Sequence, residues 1–389
     1  MSKYCISMII FTNPLYLVGA CLSAWVHRQF ITKYNLNIEL MVMVDETIYK
    51  YKNELENYFD KIELIKLEQI KLNPQYKVIH KYSRWMKYSI SKWNIFKFDF
   101  YDKILFIDID ILPITKDFYN IFDFETPAIM VKGINQNNLA NKNLDKNFFI
   151  RINEKQENFE PTSLNYWNLS LKLTKSLDAG LVLIKPDKKL YTEYFDFIKI
   201  CEGMQGYISK YDSGVDETTL LFFFIFYKQI PTHLIPYDYA PVPWEKNPYN
   251  KNNIKGINFL SLIKPWTKLP IIQFSDENIW HKIAKRVLQK HSIITNIYIK
   301  YLIDTLYDFF DELKINMSKS NSPYNMECVK SPKVKSHTYS LQKYIQTHPK
   351  EKLSMEQIEW IIKKSVHIHK YMDKRLIVGI GELENFIAN

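Results

Sequence analysis

Cysteine is sparse in this chain of 389 residues, and its placement excludes two classes of protein. Cys5, Cys21, Cys201 and Cys328 lie far apart and form no Cys-x-x-Cys pair, so neither a disulfide framework nor a cysteine zinc site is expected. That usage suits a reducing compartment, and a cytoplasmic location is the expectation. Glycine is scarce as well, 9 residues in all, and no Gly- and Lys/Arg-rich loop stands between Phe11 and Gly19. A nucleotidyltransferase would cradle its phosphates with such a loop after the first strand. Runs of one charge are missing too. The net charge is +10, yet the basic residues are spread along the sequence; this disfavours a nucleic-acid partner and leaves an anionic small substrate to account for the excess. Uninterrupted apolar runs long enough to span a bilayer are likewise missing. Tyr4 to Trp25 comes nearest to a signal or anchor, but Thr12-Asn13-Pro14 cuts it in two. The expectation is a strand over Tyr4–Phe11, then a helix beginning over Pro14–Trp25 with Thr12 or Asn13 as its cap.

What is present suffices for a large core: 47% of residues are apolar and 15% aromatic, enough for one or two domains. The abundance of Lys, Asn, Ile and Tyr reflects AT-rich codons rather than any fold. Strands are expected at Ile38–Val44, Lys61–Lys66, Pro127–Lys132 and Leu181–Ile184. Helices are expected at Glu46–Phe59, Trp85–Phe98 and Thr218–Tyr227. This alternation predicts an α/β fold, a mostly parallel sheet flanked by helices, with ligands bound beyond the carboxyl ends of the strands. Gly133–Ser176 reads as a polar insertion near an acceptor, Lys314–His337 as a linker, and Ser354–Tyr371 as part of a helical tail. The expected division is a catalytic domain over 1–290, helix and linker over 291–340, and a small C-terminal helical region over 341–389.

The most informative stretch is Lys103-Ile-Leu-Phe-Ile-Asp108-Ile-Asp110-Ile-Leu-Pro113. An apolar run rich in β-branched residues reads as a buried strand, and it ends in two carboxylates one residue apart. Positions i and i+2 of a strand face one way. Two hard oxygen ligands at an open strand end suit Mg²⁺ or Mn²⁺ gripping a diphosphate. A phosphatase of the Asp-x-Asp-x-Thr kind would need threonine at 112, where Leu112 stands.

Five segments together resemble a family. Phe11-Thr12-Asn13-Pro14-Leu15-Tyr16-Leu17-Val18-Gly19-Ala20 is similar to the first strand-to-helix turn of the glycogenin-type glycosyltransferases of family 8. Lys92, sixteen residues before Asp108, sits where that family keeps a lysine. Asp178-Ala179-Gly180 resembles its Asn-Ser-Gly or Asn-Ala-Gly sugar-site turn, and Asp216-Glu217 its Asp-Gln pair. Asn258-Phe259-Leu260-Ser261-Leu262-Ile263-Lys264-Pro265-Trp266 resembles His-Phe-x-Gly-x-x-Lys-Pro-Trp in register. The resemblance spans Ile6 to Trp266. It implies the GT-A, Rossmann-like fold and metal-dependent, retaining transfer of a hexose, glucose first, from a UDP-sugar to a hydroxyl. That acceptor would be on a glycan or a protein, including a tyrosine of the chain itself (Tyr237, Tyr239 and Tyr249 lie in the right part), and a homodimer is a further expectation. The alternative is a degenerate fold that binds a sugar nucleotide, or serves as a scaffold, without transfer.

By the same resemblance, Asp108, Asp110 and Asn258 would hold Mn²⁺ or Mg²⁺, with His281 as a competitor of Asn258 for the third position. Thr12, Asn13, Tyr16, Arg84, Lys92, Ile109, Asp178, Ala179, Gly180, Ser261 and Lys264 would bind the donor. Asp216, Glu217 and Lys264 would act in catalysis. Two departures stand out: Asn258 replaces the family's histidine, and acids replace amides at Asp178 and Glu217.

Overall fold

The computed structural model describes residues 2–71, 85–131, 149–150, 177–202, 215–242, 253–259 and 264–267, together with isolated positions between 280 and 297 and residues 382–383. Arg84, Ser261, His281 and Tyr249, residues 133–148 and 151–176 of the expected insertion, the expected linker and the helix expected over 354–371 lie outside them.

Ten strands are described. Eight form one sheet: β1 (Tyr4–Ile10), β2 (Ile38–Val44), β3 (Lys61–Leu64), β4 (Lys103–Ile107), β6 (Ala128–Val131), β7 (Phe149–Ile150), β8 (Leu177–Ile184) and β9 (Thr232–Ile235), in the order β3-β2-β1-β4-β8-β6-β9-β7. β5 (Ile111–Pro113) and β10 (Gly256–Asn258) make a separate antiparallel pair. β8 and β7 run against the other six strands, so the sheet is mostly parallel, as the alternation implied.

Both faces are covered, which is why the strands read as continuous apolar runs. Ile6, Met8 and Ile10 of β1, Leu40, Val42 and Val44 of β2, and Leu105 and Ile107 of β4 join one core with helix α1 (Tyr16–Lys33). Cys5, Ile9, Met41, Met43, Ile104 and Phe106 point the other way, into a core with Trp93, Tyr194 and Phe222. The period-2 alternation thus sorts residues between two buried faces rather than between core and water. α1 is apolar on nearly every side because it lies sandwiched between the sheet and the β5–β10 pair.

Several elements differ from expectation. The helix expected over Glu46–Phe59 is broken into α2 (Glu46–Tyr49) and α3 (Lys52–Leu55). Thr47, Ile48, Tyr49 and Tyr51 are weak helix formers, and two short turns bury Ile48, Leu55, Tyr58 and Phe59 as well as one long helix would. Within Trp85–Phe98 the wound segment is a 3₁₀ stretch, Ser89–Lys97. α4 (Lys188–Glu202) packs on that stretch. The Asp-x-Asp run is not one strand: β4 stops at Ile107, and both acids sit in the turn before β5. α5 (Val215–Leu221) opens one turn earlier than expected and passes into a π-helical turn, Phe222–Tyr227, where Lys228 N bonds Phe223 O at 2.8 Å. At the far end of the chain, Leu383 is fully buried in the α1 core and Glu382 accepts from Tyr34 Oη and, at 3.1 Å, from Lys116 N.

Buried polar groups in this core set a pH limit. His27 of α1 is fully buried; its Nδ1 lies 3.0 Å from Tyr119 Oη, and burial pushes its pKa down from 6.5 to about 3. The unfolded chain therefore binds the proton more readily, and stability falls as pH drops through the window between those values. By pH 5 the loss from this one residue is about 2 kcal/mol. Urea denaturation at pH 7.5 and pH 5 measures it: His27→Gln should reduce the pH dependence by that amount, and an identical pH dependence in both proteins would refute the assignment.

A candidate active site at the carboxyl rim of the sheet

Three parallel strands deliver chemistry to one rim. Beyond the end of β1 come Thr12 and Asn13, beyond β2 Asp45, and beyond β4 Asp108. β8 enters the same rim from the opposite direction, Ile107 pairing with Leu181, so its first residues, Asp178 to Gly180, lie beside the end of β4. Asp108 N bonds Gly180 O at 2.7 Å. The Asp178-Ala179-Gly180 segment, expected as a turn, is part of β8 itself, with Asp178 Oδ1 accepting from Gly180 N at 2.8 Å. A Cβ on residue 180 would stand 3.0 Å from both Asp108 Oδ2 and Asp178 Oδ1, so any larger residue would press on both carboxylates.

The turn after β1 is strained. Thr12 has φ 61°, a left-handed conformation unfavourable for a β-branched residue, and Asn13 N bonds Phe11 O at 2.7 Å across it. Neither Thr12 nor Asn13 caps α1, contrary to expectation. The N-cap is Leu15, without a side-chain bond, while Asn13 Oδ1 accepts from Leu15 N at 3.0 Å. The group that holds the strained turn is one the sequence reading missed: buried Asp45, whose Oδ2 accepts from Thr12 N at 3.2 Å while its Oδ1 caps α2 through Ile48 N. An acid directly at the end of a predicted buried strand was the available signal.

Lys92 projects from the 3₁₀ stretch between two carboxylates. Its Nζ lies 3.0 Å from Asp108 Oδ1 and 2.8 Å from Asp216 Oδ2, with 11% of its side chain exposed. Burial alone would lower the ammonium pKa; Asp108 and Asp216 more than offset it, and the pKa is raised. Burial would likewise raise Asp216, but Lys92 holds its carboxyl below the ordinary value. Asp108 goes the other way, pushed up to about 6 by burial, against Lys92 and with Asp110 and Asp178 adding to it. Glu217, in the first turn of α5, reaches Ala179 N at 3.5 Å, so α5 and β8 meet through it.

Asp110 is buried and its Oδ2 is in ion contact with Lys264 Nζ, 154 residues away. Lys264 precedes the short turn Pro265–Thr267, which is pinned by Trp266. That ring is fully buried, edge-on to Tyr16 at 5.8 Å and against Gly19, where a Cβ would stand 2.7 Å from it. Asn258 ends β10 opposite Ile111, and its neighbour Phe259 donates N–H to Asp110 O at 2.8 Å. Ile109, between the two acids, turns into the α1 core.

Among the described residues no three His, Cys, Asp or Glu side chains gather to hold a metal ion. Asn258, the expected third ligand, stands next to Asp110, and one observation fits a site built on it with Asp108 and Asp110. Asn258 Oδ1 is buried and accepts no hydrogen bond from the described residues. Leaving a carbonyl oxygen so costs about 1–3 kcal/mol, which an oxygen-seeking Mn²⁺ or Mg²⁺ shared with the two acids would recover. Of the expected site residues, Thr12, Asn13, Tyr16, Lys92, Asp108, Ile109, Asp110, Asp178, Ala179, Gly180, Asp216, Glu217, Asn258 and Lys264 lie on or next to this rim.

No family model matches the chain. A protein of Acanthamoeba polyphaga mimivirus, named as the uncharacterized protein R707, is 25% identical over 280 residues, covering 69% of this chain and 84% of its own length. Among solved structures, the galactosyltransferase LgtC in complex with donor and acceptor sugar analogues is similar with a TM-score of 0.41 and 14% identity, over 76% of this chain and 95% of that one. The glycosyltransferase GlyE of Streptococcus pneumoniae TIGR4 gives a TM-score of 0.40 and 11% identity over 78% of this chain. This chain spans 64% of the GlyE chain. A glycosyltransferase involved in glycosylation of the major capsid of PBCV-1 gives a TM-score of 0.31 and 8% identity, over 67% of this chain and 95% of that one.

Proposed function

We propose that this protein is a metal-dependent glycosyltransferase of the GT-A type, moving a hexose from a UDP-sugar to a hydroxyl acceptor. The observation that carries this reading is the convergence on one rim of Asp108, Asp110 and the amide oxygen of Asn258 with two lysines and with Glu217, which accepts from Ala179 N. Four of the five resembling segments meet there although they are spread over some 170 residues of sequence. The fifth, the turn at Thr12 and Asn13, stands on the same edge of the sheet as a nucleoside pocket.

A divalent ion at the Asp108–Asp110–Asn258 site would neutralise the diphosphate and stabilise the departing UDP. Lys264 adds positive charge where the leaving group develops negative charge. Asp216 and Glu217 accept from hydroxyls of the donor sugar. Lys92 keeps Asp216 charged and fixed, which suits orientation of the sugar better than attack on it. In the retaining reaction the acceptor oxygen bonds the anomeric carbon on the face from which UDP departs, and its proton passes to the departing phosphate oxygen. Glucose is the donor we favour, and Mn²⁺ the metal. Tyr237 and Tyr239 are buried, Tyr237 Oη also accepting from Val242 N at 2.8 Å, so an acceptor tyrosine in this chain lies elsewhere.

The test is release of UDP from UDP-glucose, UDP-galactose and UDP-N-acetylglucosamine with Mn²⁺, followed by intact mass of the protein for attached hexose. Absence of UDP release from all three, with and without added acceptors, would overturn transfer. A binding-only protein is the second reading, favoured by Asn258, a weaker ligand than histidine; Mn²⁺-dependent UDP-sugar binding without turnover would select it. Within the transferase reading, Lys264→Ala should lower kcat by about 2–4 kcal/mol of transition-state stabilisation while the donor Kd changes less. A wild-type kcat with only a raised KM would reduce Lys264 to a binding group.

A further inference from the structure

One buried carboxylate at the rim takes no part in the reaction proposed above. Asp45 follows β2, is 7% exposed, and is held by N–H and O–H donors of the protein. Its Oδ2 accepts from Thr12 N and its Oδ1 from Ile48 N, both at 3.2 Å, while Thr47 Oγ1 lies 2.8 and 2.9 Å from the two oxygens. The bond to Ile48 caps α2 and is local. The bond to Thr12 crosses 33 residues and ties the loop after β1 to the loop after β2. What it holds is unfavourable by itself. Thr12 is β-branched at φ 61°, and both Thr12 and Asn13 are exposed, so side-chain packing does not impose the turn. Strain of this kind persists where the surroundings over-determine it, and it clusters where ligands bind.

We propose that Asp45 is a positioning residue for the nucleotide: it fixes Thr12 and Asn13 in the turn that receives a nucleoside diphosphate, without itself touching the ligand. This rests on the transferase reading, which puts the nucleoside beside Thr12 and Asn13, and deepens it. The carboxylate is occupied within the protein, with Thr12 N, Thr47 Oγ1 and Ile48 N all directed at it, so its influence passes through the backbone of Thr12. Asn13 is the group that feels it. Its Oδ1 accepts from Leu15 N at 3.0 Å, which leaves its amide nitrogen as the donor it can present to a carbonyl of a pyrimidine base. A turn held in shape before the ligand arrives need not be ordered on binding, so the gain is in affinity. In the sheet β1 separates β2 from β4, which puts the end of β2 about 10 Å, two strand spacings, from the end of β4. The effect therefore belongs to the nucleoside and is independent of the cation at Asp108 and Asp110.

The experiment is calorimetry of UDP, with Mn²⁺ and with EDTA, on the full chain and on Asp45→Ser, Thr12→Gly and the double variant, each verified as folded by thermal melting. Serine caps a helix as well as aspartate does, so α2 keeps its cap, but its hydroxyl is too short to reach Thr12 N as well. Asp45→Ser should bind UDP about tenfold more weakly, the loss of one hydrogen bond to a charged group, and by the same factor with Mn²⁺ as with EDTA. In turnover the loss should fall on the KM for UDP-sugar and not on kcat. Glycine adopts a positive φ without strain, so in the Thr12→Gly background the same change should cost about threefold or less. A merely structural Asp45 would lower the melting temperature without this coupling. Wild-type UDP affinity in Asp45→Ser, or a tenfold loss undiminished in the Thr12→Gly background, overturns the proposal and leaves the transferase reading intact. Failure of the wild type to bind UDP under either condition overturns both. Should Asp45→Ser alone not fold, the double variant is compared with Thr12→Gly, and a tenfold gap between them overturns the proposal.

Discussion

Asp110→Asn is expected to remove metal-dependent UDP binding while leaving the protein folded. The substitution is isosteric at a buried position, and the backbone carbonyl that accepts Phe259 N at 2.8 Å is untouched. What changes is charge. A cation held as proposed would lose one of its two carboxylates and keep only Asp108 and the neutral amide of Asn258. Loss of outer-shell partners already costs metal sites 10–100-fold, so loss of a direct ligand should weaken Mn²⁺–UDP binding by at least about 100-fold. UDP without metal should bind as well as before or slightly better, because Lys264 is no longer drawn to Asp110. Calorimetry of UDP with Mn²⁺ and with EDTA separates the two effects. Unchanged Mn²⁺–UDP affinity in Asp110→Asn would sink the metal assignment, whereas equal losses with and without metal would mean a damaged pocket.

The same acid shows how far sequence alone reaches. β1, β2 and β4 were legible because a strand covered on both faces must be apolar along its whole length, and the run Ile104 to Ile107 is such a strand. Its end predicted the place of Asp108 and Asp110. The turn that carries them was not legible, since it depends on β5 leaving the main sheet to pair with β10, some 145 residues further on. The direction of β8 was equally hidden; an apolar run looks the same whichever way it is threaded. Helix patterns failed where tertiary packing replaced propensity, as in the break between α2 and α3 and the π turn at Phe222–Tyr227. Asp45 escaped notice because its partner, the N–H of Thr12, is a backbone group exposed only by a left-handed turn. The Lys264–Asp110 and Lys92–Asp216 contacts are long-range pairings of charges that, read locally, resemble any solvated lysine or aspartate.

Lys92→Met should be the most destabilising single change at the site. Lys92 neutralises Asp216, which is buried, and shares in neutralising Asp108, about a third of whose side chain is exposed. Removing one partner of a buried ion pair typically costs 3–5 kcal/mol, because the other charge is left without compensation in a poorly polarisable place. Water reaching Asp108 relieves part of that, so about 3 kcal/mol at pH 7 is expected. The pH dependence should change with it. In the wild type the carboxyl of Asp216 is held below its ordinary value, so its contribution is present above that value and is lost only on strong acidification. Without Lys92 the same carboxyl is raised by burial, takes up a proton more readily than in the unfolded chain, and the variant regains stability as pH falls from 7 towards 5. The double variant Lys92→Met/Asp216→Asn should recover more than half of the loss at pH 7, a coupling that two independent surface changes would not show. Urea denaturation of the wild type, Lys92→Met, Asp216→Asn and the double variant at pH 7 and pH 5 measures every term. A Lys92→Met protein as stable as wild type at pH 7, or one whose loss is untouched by Asp216→Asn, would mean that Lys92 is a solvated lysine and that the charge balance of the rim is set elsewhere.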